Sequence, residues 1–201
     1  MHELLVLGLL MHWPLHAYRI AKIANNILGP EEQMSRGTLS TVLVKLEQAK
    51  FIADADETEV HFPSDRPSRV FAITPVGRER FSQLMLDTTS HPGSYSKTFH
   101  IKALHLEFLA PEHQIFLVEH YLQYCKKIVR NKQEDAQKFG GSPEKQERIS
   151  SLFRRNALEF MQLKVEQWQL EIAWAQSLHD TVLARLRQTG PELDSVHQKA
   201  R

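Results

Sequence analysis

Leu158, Met161, Val165, Trp168, Ile172, Ala175, His179, Val182 and Leu186 recur at alternating spacings of three and four residues. That alternation returns each side chain to one face of an α-helix, and sustained over this length it predicts a long helix with a coiled-coil type of seam. The same segment carries a second apolar line of Phe153, Phe160, Leu163, Leu170, Trp174 and Leu178. A helix apolar on two sides must be covered on both. The preceding helix offers a stripe of Ile115, Val118, Leu122, Cys125 and Val129, continued by Ala136 and Phe139. Few other helices are predicted in this half, so a second copy of the chain is the economical partner. Leu158, Met161, Val165, Trp168, Ile172, Val182 and Leu186 are accordingly assigned to dimerisation; an intramolecular three-helix bundle in a monomer is the alternative.

The N-terminal half follows a different pattern. Glu3 to His12 is almost wholly apolar and is ended by Trp13-Pro14, since the residue before a proline is pushed out of helical geometry. A second helix is predicted from about Leu15 to Leu28, closed by Gly29-Pro30. Ser35 has the chemistry of an N-cap for a third helix, whose apolar face is Leu39, Leu43 and Leu46 and whose polar face is Thr38, Thr41 and Lys45. Phe51-Ile52-Ala53 and Arg69-Val70-Phe71-Ala72-Ile73 are rich in strand formers, and the stretch between them carries Pro63, Ser64, Asp65 and Pro67. This predicts a hairpin with a long tip. Thr74-Pro75 then opens another helix, with Thr74 as N-cap and Pro75 at its first position. Three helices, a two-stranded ribbon and a helix make the winged variant of the helix-turn-helix. The fold class expected is mainly α with a small β-hairpin, an N-terminal winged helix-turn-helix over 1–92 and a long-helical domain over 93–201, with breaks at Ala110-Pro111 and Gly140-Gly141-Ser142-Pro143.

Composition narrows the function. With 25 Lys and Arg against 24 Asp and Glu, the 201-residue chain is no general polyanion binder, so any DNA contact depends on local placement of charge. The apolar run Leu4 to Met11 is too short to span a bilayer and lacks preceding basic residues. The single cysteine, Cys125, excludes an internal disulfide and falls on an apolar stripe, which predicts a buried thiol in a reduced, cytoplasmic setting. The 11 histidines form no recognisable ligand motif, and no phosphate loop or nucleophile elbow is present, so neither a metal, a cofactor nor an enzyme is expected.

Particular stretches resemble the PadR family of bacterial transcriptional regulators. Leu5-Val6-Leu7-Gly8-Leu9-Leu10 followed by Leu15-His16-Ala17-Tyr18-Arg19-Ile20 is similar to the family's first helix and the start of its second. Ser35-x-Gly37-Thr38-Leu39 with Leu43-x-x-Leu46-Glu47 resembles its recognition helix. Arg66-Pro67-x-Arg69-Val70-Phe71-x-Ile73-Thr74-x-x-Gly77 resembles the return strand of the wing and the helix after it, and Lys102-Ala103-Leu104-x-Leu106-x-Phe108-Leu109 the first C-terminal helix. The resemblance implies a homodimeric repressor that binds double-stranded DNA and is released by a small molecule, in some members a phenolic acid or drug-like compound. The chain departs from the family with Ser40-Thr41 in place of a common Tyr-Pro, Lys50 in place of glycine after the recognition helix, and Ala17 where glycine is common.

On this reading Arg36, Thr38, Ser40, Thr41 and Lys45 lie at the major groove, with Arg36 reading bases and Lys45 meeting phosphate, while Arg66 and Arg69 of the wing reach the backbone or minor groove. Acidic Asp54, Asp56, Glu57 and Glu59 work against close phosphate contact at the wing base. Tyr121, Tyr124, Trp168 and Trp174 either line a pocket for a flat aromatic effector or pack together in the core. His179, polar within the seam, either sets register, senses pH or is an ordinary surface histidine. The rival functional class is a winged-helix interaction protein that docks another protein instead of DNA; steep salt dependence of duplex binding separates the two.

Overall fold

Residues Leu4 to Leu10 are all buried, because the first helix, α1 (His2–His12), runs through the middle of its unit and is apolar on every side. Around it lie α2 (Ala17–Leu28), α3 (Arg36–Gln48) and α4 (Pro75–Leu86). The computed structural model describes residues 1–60, 68–89, 92–141 and 150–197. They divide into two compact units, Met1–Leu109 and Ala110–Arg201.

In the first unit β2 (Ile52–Asp54) and β3 (Val70–Ile73) pair antiparallel, with Ile52 opposite Ile73 and Asp54 opposite Phe71. A third short strand, β1 (Leu15–His16), pairs with the other edge of β3, Leu15 opposite Phe71. The periodicity of the sequence extends the second helix back to Leu15; instead Leu15 and His16 are extended and buried, with His16 Nδ1 3.2 Å from the carbonyl oxygen of Ser68. Two residues are too few to show a strand period of two. The predicted tip of the hairpin, with Ser64 and Arg66, lies outside the described residues.

Helix α5 (Tyr95–Ala103) packs on α1 with Phe99 and Ile101 buried, and this carries the first unit past residue 92, to Leu109. Between α1 and the chain following α5 the approach is close: a Cβ on Gly8 would stand 2.4 Å from Nε2 of His105, so only glycine fits.

The second unit is a pair of packed helices, α6 (Pro111–Gly140) and α7 (Ser151–His197). Pro111 opens α6 at the position where a missing N–H has no consequence. The predicted cap of the last helix, Ser142-Pro143, lies outside the described residues. Val118, Leu122 and Cys125 of the expected α6 stripe are buried, widened by Leu117 and Tyr121. The fold is thus mainly α with a small sheet, a winged helix followed by long helices. Among the described residues no helix is long and apolar enough to cross a membrane.

Candidate nucleic-acid interface

The presentation of α3 is settled by contacts at both of its ends. Ser35 Oγ accepts from the backbone N–H of Thr38 at 3.1 Å, so the predicted N-cap forms. Ahead of it the side-chain amide of Asn25 on α2 bonds Met34 twice, donating to its carbonyl at 3.1 Å and accepting from its N–H at 2.7 Å. That clamp fixes the turn between α2 and α3. Asn25 gives no sequence signal for this role, because its partner lies in an aperiodic stretch.

At the other end Phe51 N–H donates to Leu46 and Lys50 N–H to Glu47, both at 2.9 Å. These are the two bonds of a Schellman stop. The left-handed position of that stop is occupied by Lys50, at φ 59°. The backbone geometry that glycine usually provides is therefore kept without it, and α3 ends cleanly at Gln48 with Ala49 as its C-cap. The carbonyl of Phe51 then approaches α4 so closely that a Cβ on Gly77 would stand 2.0 Å from it. Thr74 Oγ1 caps α4 by accepting from Gly77 N–H at 3.0 Å, and donates to the Lys50 carbonyl at 2.7 Å.

With Leu39, Leu43 and Leu46 buried beneath it, α3 exposes Arg36, Ser40, Thr41 and Lys45, while Thr38 is half-buried. The Thr38 hydroxyl is 2.9 Å from Ser35 Oγ, and the Thr41 hydroxyl donates to the Gly37 carbonyl at 2.9 Å. The Thr38 hydroxyl thus joins the cap, and the Thr41 hydroxyl is turned back onto its own helix.

Arg69 is the residue whose surroundings differ most from expectation. Its guanidinium donates to Asp54 through Nε and Nη2, both at 2.9 Å, and to Glu47 Oε1 at 2.5 Å, and lies 4.8 Å above the Phe71 ring. It joins β3, β2 and α3. The two carboxylates hold its pKa above the usual arginine value, and its hydrogen bonds hold Asp54 below the usual carboxylate range. Asp56, another acid of the wing base, accepts from Thr58 N–H at 2.9 Å and caps a short 3-10 turn at Glu57–Glu59.

In the second unit the four aromatic residues assigned to an effector pocket do come together. Tyr121 and Tyr124 stack at 6.1 Å, Trp174 meets Tyr121 edge-on at 6.3 Å and Trp168 meets Tyr124 at 5.7 Å. Tyr121 is fully buried and its hydroxyl donates to Glu171 at 2.8 Å. The rings thus contact one another in one cluster. Cys125 beside them is buried, and burial pushes its thiol up to about 11. His179 has Nε2 3.5 Å from Glu119 and Nδ1 3.5 Å from Asp180.

The predicted dimer seam has a partner within its own chain. Val165, Ala175 and Val182 are buried, and Leu158, Met161, Trp168, Ile172 and Leu186 are half-buried along the side of α7 that packs on α6. The second line is the one left open: Phe153, Phe160, Leu163, Leu170 and Trp174 are exposed. Helical spacing identifies two apolar faces but does not say which of them a neighbouring helix of the same chain will cover.

Three helices with a capped, solvent-facing third helix, a β-ribbon and a closing helix define the first unit as a winged helix. Residues 6–83 match the model of the Transcriptional regulator PadR-like family, the same family that the sequence motifs resemble. No curated protein matches the chain. Among solved structures, Bacillus subtilis PadR in complex with operator DNA is 18% identical, with 89% of this chain and 96% of that one covered and a TM-score of 0.39. Bacillus subtilis PadR in complex with p-coumaric acid is 18% identical, with 90% and 94% covered and a TM-score of 0.36. The Vibrio cholerae virulence activator AphA is 17% identical, with 92% and 99% covered and a TM-score of 0.38.

Proposed function

We propose that the protein is a sequence-specific DNA-binding transcriptional regulator, a homodimeric repressor that a small-molecule effector releases from its operator. The observation that carries this reading is α3 itself, capped, clamped to α2 and exposing Arg36, Ser40, Thr41 and Lys45 within the segment that matches the PadR-like family. A helix held in that way offers the N-terminal side chains that read base edges, and Arg36 can bond guanine in bidentate fashion while Lys45 meets phosphate. Arg66, which lies outside the described residues, is the wing's candidate for the backbone or minor groove. Arg69, spent on Asp54 and Glu47, holds the wing base to α3 and acts through position. The functional DNA-binding domain is the winged helix. The helices after it supply dimerisation, through the exposed line of α7 and not the line that α6 covers. A cytoplasmic location accords with this role.

The test is binding of the purified protein to a labelled duplex from its own upstream region across a range of salt. Phosphate contacts make log affinity fall linearly with log salt. A steep fall, with preference over a scrambled duplex, is the expected result. No preference at any salt would favour the protein-docking class, for which the acidic wing base is the specific observation.

A further inference from the structure

The cations assigned to the groove stand at the borders of the exposed side of α3 and not along its middle. At about 100° per residue, Arg36 and Lys45 lie roughly 180° apart around the helix. Between them, in order, come Ser40, Val44, Gly37 and Thr41, with Gln48 in the last turn, and all are exposed. The middle of this side is therefore small or apolar. Neither Arg36 nor Lys45 has a side-chain hydrogen bond or ion pair among the described residues. Glu47, the one acid of α3, is bound by Arg69.

Val44 is 45% exposed, an apolar side chain open to water. The hydroxyl of Thr41 gives its only proton to the Gly37 carbonyl, four residues back, at 2.9 Å. It cannot donate to a base, and its methyl is the branch left free. At Gly37 neither the backbone nor the packing calls for glycine: its φ is not positive, and a Cβ would meet nothing closer than Ser35 Oγ at 3.8 Å. The missing side chain costs helix stability and lets another surface approach this face closely.

A helix face that is cationic at both borders and carries methyl groups along its middle is complementary to a major groove. The walls of that groove are phosphate, and the one apolar group on its floor is the C5 methyl of thymine. Thr41 and Val44, three residues apart on one face, have Cβ atoms about 5–6 Å apart. Bases rise about 3.4 Å each along a strand, so the methyls of two neighbouring thymines fall within reach of the pair. We infer that α3 specifies its site through apolar contact of Thr41 and Val44 with the methyl groups of neighbouring thymines, between the polar contacts of Arg36 and Lys45. This rests on the DNA-binding reading and names bases that the helix reads.

The full-length protein is titrated with the labelled upstream duplex, with the same duplex carrying deoxyuridine in place of every thymidine, and with a scrambled duplex. Deoxyuridine keeps each hydrogen-bonding group of thymine and lacks only the methyl. The wild type should prefer the thymine form to the uracil form by about four-fold for each methyl covered. Thr41→Ser, which keeps the hydroxyl but loses the methyl, and Val44→Ala should each lower this thymine-to-uracil ratio, and the double variant should bring it close to one. Thr41→Val, with a methyl at the same place, should retain the ratio. Equal affinity for the two forms, in a wild type that prefers both to the scrambled duplex, would overturn the thymine contact and leave the DNA-binding reading standing. A ratio that neither Thr41→Ser nor Val44→Ala changes would overturn the assignment to these two residues. No preference for the upstream duplex in either form would overturn the DNA-binding reading, and the thymine contact with it.

Discussion

Two residues show what burial and backbone geometry cost here. His105 is buried beside Gly8 with its Nε2 lacking a hydrogen-bond partner among the described residues, and desolvation, helped by nearby His12, holds its pKa down from 6.5 to about 4. Because the folded value lies below the unfolded one, the unfolded chain takes up the proton first as pH falls. This group therefore contributes no penalty above pH 6.5, and stability is lost progressively as pH falls towards 4, by on the order of 3 kcal/mol at most. Urea unfolding of wild type and His105→Gln across this window should show a flatter profile in the variant; parallel profiles would mean that His105 takes no part. Lys50 sits at φ 59°, where a side chain crowds its own backbone. Lys50→Gly should raise the unfolding free energy by about 0.5–1 kcal/mol with an unchanged denaturant slope. The sequence reveals the missing glycine at this position, but the two hydrogen bonds that keep the stop intact join backbone groups and leave no trace in residue identity.

At the scale of elements, the parts legible in the sequence are those specified by neighbours in the chain. Ser35 and Thr74 cap because each lies three residues before the N–H it accepts, and the leucines of α3 share a face by spacing alone. Arg69 was not legible in the same way. Its partners Asp54 and Glu47 stand 15 and 22 residues away, so its type suggests a phosphate contact while its surroundings make it a brace. As one network, Arg69→Ala and Asp54→Asn should each lower stability, and the double variant should lose clearly less than the sum of the two. Strict additivity in that double-mutant cycle would show the contact to be energetically idle. Neither single variant should change the salt slope of duplex binding by as much as a lost phosphate contact does.

For the molecule as a whole, the proposed dimer turns on the two apolar lines of α7. Spacing identifies both lines and assigns the one through Leu158, Val165 and Val182 to a second chain; packing shows that α6 lies against that line, with Val165, Ala175 and Val182 buried. The face through Phe160 and Leu170, 58% and 73% exposed, is the one proposed to meet a second copy. Sedimentation of the wild type should show a dimer, and Phe160→Glu with Leu170→Glu should shift it to monomer while helical content is retained. A variant that remained dimeric would move the interface elsewhere. Since a dimer presents two copies of α3, the monomeric variant should also lose most of its specific affinity for a two-half-site operator.

The proposed function stands on α3 reading DNA through its exposed N-terminal half. The measurement that bears on it most directly is the affinity of wild type and Arg36→Ala for the upstream duplex and for a scrambled duplex at one fixed salt concentration. The wild type should prefer the upstream duplex, and Arg36→Ala should lose about 1–3 kcal/mol of that preference while keeping most of its affinity for the scrambled one. An unchanged preference in Arg36→Ala, or no preference in the wild type, would contradict it.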